Sequence, residues 1–345
     1  MAAQRRLVLA SCAVQAIRNL QSVQLEATPR LNVISGDNGQ GKTSLLEAIY
    51  LLATSKSFRT SRLEDVIHHE ATVASVRGKW VETFASGPIL TRTQTFGIEG
   101  RRRHVTIDGE RIKRLTDYAT RSPVVVFEPR QLSITTGPPA ERRTMLDRLT
   151  LFTHPSVVED RSRYNRALKE RQRLLSECSS IRAVESELEA YERLLARHGA
   201  AITQARSEAT TRLRVAFQSA FEEIAAPGLL LEATYQAGGC DEEDAAAQQL
   251  FEDRAKDLRR KRTSFGPHQD DLYLQIDGHP ARIVASQGQH RALTLALKAA
   301  ELRCIAEARD VSPILLLDDV SSELDPERTR ALFAYLAKTD SQIFL

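Results

Sequence analysis

The chain is 345 residues long, 42% hydrophobic and 27% charged, an ordinary balance for a globular protein with one large or two smaller cores. No apolar run reaches the roughly 18–20 residues of a membrane span. The four cysteines, Cys12, Cys178, Cys240 and Cys304, are scattered without a C-x-x-C pair, which argues against a structural zinc site or a disulfide framework and for a reducing compartment. A formal net charge of +3 is too small to announce a nucleic-acid partner by itself.

From the N-terminus, Arg5-Arg6 followed by Leu7-Val8-Leu9-Ala10 has the outline of a short signal peptide. It reads better as a first or edge strand, because a phosphate-binding motif follows close behind. The apolar run Leu31-Asn32-Val33-Ile34 predicts a strand. It leads into Gly36-Asp37-Asn38-Gly39-Gln40-Gly41-Lys42-Thr43, which fits G-x-x-x-x-G-K-[ST]. The next run, Ser44-Leu45-Leu46-Glu47-Ala48-Ile49-Tyr50-Leu51-Leu52, predicts a helix. Glycines let backbone N–H groups turn inward around phosphate, and a helix N-terminus adds the positive end of its dipole. All nine residues from Gly36 to Ser44 are therefore expected nucleotide contacts. Lys42 is expected on the β- and γ-phosphates of ATP, and the Thr43 hydroxyl on Mg²⁺.

Further strand-like runs follow at residues 72–76, 94–98, 104–107 and 124–127, separated by turn signals such as Gly87-Pro88 and Asp108-Gly109. From about residue 140 to 225 the pattern turns helical. Leu168, Leu174, Leu175, Leu188, Tyr191, Leu194, Leu195 and Ile202 recur at three- and four-residue spacing. This predicts a lobe of antiparallel helices, broken at Cys178-Ser179-Ser180. Residues 238–249 are acidic and rich in small side chains, and read as an exposed loop. From Gly266 the chain returns to α/β: a strand at 272–276, a turn at Asp277-Gly278, a helix from about 289 to 308, then the buried strand Ile314-Leu315-Leu316-Leu317.

That last strand runs into Asp318-Asp319, a Walker B arrangement, in which Asp318 holds the Mg²⁺ shell and Asp319 stands where a general base is needed. Lys42, Asp318 and Asp319 are the expected catalytic residues. Ala285-Ser286-Gln287-Gly288-Gln289-His290-Arg291 is similar to the signature motif of ABC-type ATPases, in which Ser286, Gly288 and Gln289 at a helix start form an anion site. Ser321-Ser322-Glu323-Leu324-Asp325 stands where such ATPases carry the D-loop, and Asp325-Pro326-Glu327 also makes a sound helix start. By resemblance to ABC-type heads, Gln131 is a candidate for their Q-loop glutamine, which senses Mg²⁺ and the attacking water. The fold class expected is α/β, a P-loop NTPase of ABC/SMC-head type with mixed sheets, flanking helices and an inserted α-helical lobe. Residues 1–135 and 262–345 are assigned to the ATPase lobe and 136–261 to the mainly helical lobe.

Over nearly its whole length the chain resembles the bacterial RecF family. The resemblance is carried by the P-loop region through Ser57-Phe58-Arg59-Thr60, by Gly137-Pro138-Pro139-Ala140-Glu141-Arg142-Arg143-Thr144-Met145-Leu146-Asp147, by Phe265-Gly266-Pro267-His268-Gln269-Asp270-Asp271, and by Leu317-Asp318-Asp319-Val320-Ser321-Ser322-Glu323-Leu324-Asp325. It departs at Arg130, Gln269 and Gln21, the last in place of an arginine that helps hold nucleotide in related heads. It also stops at Gln342-Ile343-Phe344-Leu345, before the switch segment such heads carry, so the chain is either clipped or lacks that segment, a point that bears on ATP turnover. The resemblance implies a cytoplasmic, nucleoid-associated, ATP- and Mg²⁺-dependent DNA-binding protein. Its ATP-driven homodimer would clamp double-stranded DNA near single-strand gaps and, with RecR and RecO, help load RecA. Slow, DNA-stimulated ATP hydrolysis would release it. A nucleotide-switched binding module with negligible hydrolysis stays open beside it, and a membrane-transporter head is disfavoured. Basic clusters at residues 101–104, 111–114 and 259–262 are candidate phosphate contacts.

Overall fold

The computed structural model describes residues 5–224, 229–319 and 326–345. The chain divides into two compact units: Met1–Gln131, Ala220–Pro227 and Gln287–Leu345 in the first, Leu132–Ser219 and Gly228–Ser286 in the second. The D-loop motif at 321–325, including Asp325, lies outside the described residues.

The first unit holds two sheets. The larger contains β1 (Arg5–Ile17), β2 (Leu20–Glu26), β4 (Val73–Phe84), β5 (Leu90–Glu99), β6 (Arg102–Ile107), β7 (Glu110–Arg111) and β12 (Val311–Ser312). Its order is β12-β1-β4-β5-β6-β7, with β2 also on β1. The smaller is parallel, in the order β3 (Leu31–Asn32), β14 (Ile343–Phe344), β13 (Ile314–Leu317), β8 (Val124–Phe127). β1 is the first strand but no edge, since β4 flanks it on one side and β12 and β2 on the other.

A register shift between Leu9 and Ser11 explains how β1 stays in the core. The bulge changes the parity of the inward face, so Leu7 and Leu9 are buried before it and Cys12 and Val14 after it. Between the stretches taken by β12 and β2, the edge of β1 at Leu9 is completed by a side chain. The Gln342 amide accepts from the Leu9 N–H (2.8 Å) and donates to the Leu9 carbonyl (2.9 Å) and the Thr28 carbonyl (2.8 Å). A fully buried amide thus ties the segment before β14 to the larger sheet.

Helix α1 (Lys42–Thr54) packs on β1, β4 and β5 of one sheet and on β8 of the other. Every residue from Ser44 to Ala53 is buried, which is why this helix shows no amphipathic stripe in the sequence. Helix α2 (Leu115–Ala119) lies against it.

The second unit contains α3 (Ser133–Thr136), α4 (Pro139–Thr153), α5 (Val157–Glu177), most of α6 (Glu185–Ile224), α7 (Glu243–Glu252), α8 (Arg254–Arg260) and α9 (Ala281–Val284). It also has an antiparallel sheet of β9 (Leu231–Gln236), β10 (Asp271–Ile276) and β11 (His279–Pro280). The break between α5 and α6 falls after Glu177, as the Cys-Ser-Ser run suggests. The acidic stretch expected as a loop is corrected: α7 occupies most of it. Ala246 and Leu250, one turn apart, are buried in the lobe core, while Glu243 and Asp244 sit in the first turn, where acids favour a helix. Because β10 pairs with β9, residues 262–286 fall in this unit rather than with the ATPase lobe to which the sequence reading assigned them.

Two sequence blocks more than a hundred residues apart meet here. Arg142 forks onto Asp271 (2.6 and 3.1 Å) and donates to the Ile134 and Gly137 carbonyls, both at 3.0 Å. Arg206 joins Asp147 (2.6 Å) to Asp270 (2.7 Å). Asp270 also accepts from the Gly238 N–H and the Tyr235 hydroxyl. A second network is centred on Arg171, which bonds Asp257 (2.7 Å), Thr263 (2.8 Å) and Glu192 (3.1 Å).

Candidate nucleotide-binding site

The parallel sheet sets the site by ending its strands side by side. β3 leads toward the P-loop, and β13 delivers Asp318 and Asp319, the Asp318 N–H donating to the Phe127 carbonyl of β8 at 2.9 Å. Gly39 (φ 84) and Gly41 (φ 100) adopt the left-handed backbone that L side chains avoid. A Cβ on Gly41 would lie 2.5 Å from Leu20, so the loop is also pressed against β2. Gly41 caps α1 without any side-chain hydrogen bond, which leaves first-turn N–H groups to a ligand.

The loop is held by hydrogen bonds of its own. The Lys42 ammonium donates to the carbonyls of Gly36 (2.6 Å) and Asp37 (3.0 Å). The Gln40 N–H donates to Asp37, and the Asp37 N–H to the Gln40 side chain. Asn19 braces the loop from β2's start, donating to the Gly39 carbonyl (2.7 Å) and accepting from Ser44 (2.8 Å).

The Thr43 hydroxyl donates to Asp318 at 2.7 Å. Burial, the largest cause, pushes the Asp318 carboxyl above its ordinary value, and Thr43's hydrogen bond pulls it partly back. A carboxylate and a hydroxyl so placed are hard oxygen donors, a set that suits Mg²⁺. The same shift gives a stability prediction. The folded state binds the Asp318 proton more tightly than the unfolded chain, so the charged form costs stability, fully above the folded-state pKa and not at all below the unfolded one. Asp318→Asn keeps the acceptor for Thr43. It is expected to raise the melting temperature by about 2 °C at neutral pH, with the gain fading as pH falls through the carboxylate range. Thermal scans across pH check this.

Beneath the loop, Glu47 of α1 is fully buried and wholly partnered. Arg18 forks onto it with two 2.9 Å bonds, Ser57 donates to one oxygen, and Arg59 reaches the other at 3.4 Å. Arg18 (φ 54) needs a left-handed turn to do this, and its guanidinium also donates to the Asp65 carbonyl (2.6 Å). A cleft of 960 Å³ opens above, lined by P-loop residues with Arg18, Arg59, His68, His69, Asp318 and Asp319.

The structure therefore brings together Asn38, Gly39, Gly41, Lys42, Thr43, Ser44, Asp318 and Asp319. Gly36, Asp37 and Gln40 are not among the cleft's lining residues and take part in hydrogen bonds within the loop. Ser286 is exposed just before helix α10 (Gln287–Arg309), and Gly288 and Gln289 lie in its first turn. Neither Gly288 nor Gln289 lines the cleft. Gln131 does not line it either, and its side-chain amide oxygen is buried with no hydrogen-bond partner among the described residues. Gln21 is exposed on β2 and does not line the cleft, whereas Arg18 does. The signal for Arg18 was faint: one arginine in the turn Ile17-Arg18-Asn19-Leu20.

Among the basic clusters, Arg103 is tied to the Ser55 carbonyl (2.9 Å), Arg101 to Glu64 (3.5 Å), Arg114 to Asp117 (3.4 Å) and Lys261 to the Cys178 carbonyl (2.7 Å). Arg102, Arg111, Lys113, Arg259 and Arg260 are exposed. No helix among the described residues is long and apolar enough to cross a membrane.

Fold and cleft define the first unit as a P-loop ATPase head of the ABC/SMC type. Comparison with known proteins narrows this. The family model described as the RecF/RecN/SMC N-terminal domain matches residues 8–345. DNA replication and repair protein RecF of Anaeromyxobacter sp. (strain Fw109-5) is 40% identical, over 98% of this chain and 91% of its own. The RecF of Myxococcus xanthus (strain DK1622) is 38% identical, over 96% and 88%. A solved structure of the recombination mediator protein RecF–ATP in the RecFOR pathway superposes with a TM-score of 0.87 at 29% identity, covering 98% of this chain and 92% of that one. An Smc head domain from Pyrococcus furiosus shares the fold at a TM-score of 0.53 and 13% identity, covering 98% of this chain and 89% of that one. The chain belongs to the RecF family of DNA replication and repair proteins.

Proposed function

We propose that this protein is an ATP-dependent DNA-binding protein of gap repair and replication restart, which dimerises on ATP, clamps double-stranded DNA near single-strand gaps and helps load RecA together with RecR and RecO. The observation that carries this reading is the split site. Walker A and Walker B residues meet in one cleft, while Gly288 and Gln289 of the signature segment stand outside it at a helix start. A second protomer's Ser286, Gly288 and Gln289 would complete each site by meeting the γ-phosphate, so ATP joins two chains.

Within one protomer, Gly39, Gly41 and the first turn of α1 present N–H groups to the phosphates. Lys42 would reach the β- and γ-phosphates, and Thr43 with Asp318 would hold Mg²⁺. The ion supplies charge neutralisation on the phosphate oxygens. Asp319 accepts the proton of the attacking water. Its side chain is one methylene shorter than glutamate, and its backbone is held at φ 50, which fits slow hydrolysis. Exposed Arg102, Arg111, Lys113, Arg259 and Arg260 are candidate phosphate contacts for DNA.

Gln131 outside the cleft favours a second reading, a nucleotide-switched clamp with negligible turnover. Steady-state phosphate release separates the two. A slow release that DNA accelerates supports the ATPase, whereas background release with intact ATP-dependent DNA retention supports the switch.

A further inference from the structure

The lining of the cleft holds two kinds of chemistry. One is the P-loop, with Asn38, Gly39, Gly41, Lys42, Thr43 and Ser44. The same wall carries Ile67, His68 and His69, and these imidazoles are the only aromatic rings on it among the described residues. The two rings lie against each other in a tilted pair, with centroids 4.4 Å apart and planes at 33°.

Their surroundings give them unequal tasks. His68 is buried. Its Nδ1 accepts from the Glu70 N–H (3.2 Å), and its own N–H donates to the Ala16 carbonyl (2.8 Å). His69 is open, its side chain 80% exposed. A short path ties the pair to the P-loop. The Arg18 N–H donates to the Val66 carbonyl (2.7 Å), and Asn19, next in the chain, donates to the P-loop carbonyl of Gly39 (2.7 Å). The rings therefore stand at a fixed offset from the phosphate cradle.

We infer that the His68–His69 pair is the platform for the nucleotide's base, with His69 in face contact and His68 as its rigid backing, and that it favours purines over pyrimidines. The inference rests on the nucleotide reading of the cleft. An exposed imidazole backed by a second, immobilised one offers a flat π surface at little entropic cost. Stacking scales with ring area, which gives purines the advantage, and Ile67, next in the chain to the pair, adds an apolar contact on the same wall.

Equilibrium binding of Mg²⁺-ATP, Mg²⁺-UTP and Mg²⁺-tripolyphosphate tests it, in the wild type and in His69→Ala, His69→Phe and Lys42→Met. Tripolyphosphate carries the phosphate contacts without a base. His69→Ala is expected to weaken ATP about tenfold, to leave tripolyphosphate within about twofold, and to shrink the ATP-over-UTP preference. His69→Phe, which restores an aromatic face, should return ATP affinity. The base platform is refuted if His69→Ala spares ATP, weakens ATP and tripolyphosphate alike, or is not rescued by phenylalanine. A different failure marks the nucleotide reading itself: Lys42→Met leaving ATP and tripolyphosphate binding intact, or a wild type that binds neither, removes both proposals.

Discussion

Lys42→Met is expected to abolish ATP-dependent dimerisation and DNA retention while leaving the protein folded. Lys42 is the first residue of α1, and among the described residues its ammonium donates to the Gly36 and Asp37 carbonyls. Those carbonyls lie in an exposed loop that water can solvate, so removing the ammonium costs the fold little. The nucleotide loses far more. Truncating one partner of a hydrogen-bonded charge pair costs about 2–5 kcal/mol, which raises the dissociation constant by a factor of about 30 or more. Nucleotide titration should show that loss, with the melting temperature of the ligand-free protein close to wild type. A variant that binds ATP normally would remove Lys42 from the phosphate site.

Arg171→Met is expected to have the opposite profile, a large loss of stability with no direct loss of nucleotide contacts. Arg171 is fully buried in the second unit, as is its partner Asp257. Without the guanidinium, Asp257 keeps only the N–H and hydroxyl of Ser264, and Glu192 keeps Arg254. Removing one member of a buried ion pair strands an uncompensated charge and costs about 3–5 kcal/mol. Denaturant titration should show the shift. Arg171→Met with Asp257→Leu should recover a good part of it, since exchanging both partners for apolar groups is far milder than breaking the pair. No recovery would mean that Arg171 stabilises the lobe by packing rather than by charge.

How much of this was legible in the sequence depends on how local the cause is. The P-loop and the Walker B strand are linear motifs whose chemistry is written in consecutive residues, and the cleft unites them. The strands were read by their apolar runs, but their true lengths were hidden. β1 changes inward parity at its bulge, so plain alternation misjudges it. The stretch 238–249 was misread because composition weighs acids and alanines without knowing that Ala246 and Leu250 meet a core. The blocks around Arg142 and Asp271 were visible as blocks, yet their pairing depends on the fold of α4 against β10. Arg18 on Glu47 was equally hidden, since nothing in Ile17-Arg18-Asn19 announces a left-handed turn. The histidine pair is the extreme case: two adjacent residues without a motif acquire meaning only by standing on the cleft wall.

If ATP joins two of these chains through a shared site, sedimentation velocity with Mg²⁺-ATP, with Mg²⁺-ADP and without nucleotide will show it. A dimer is expected with ATP alone, and monomers in the other two conditions and in Ser286→Arg with ATP. A monomer in all conditions, or an ATP dimer untouched by Ser286→Arg, would rule out the shared site.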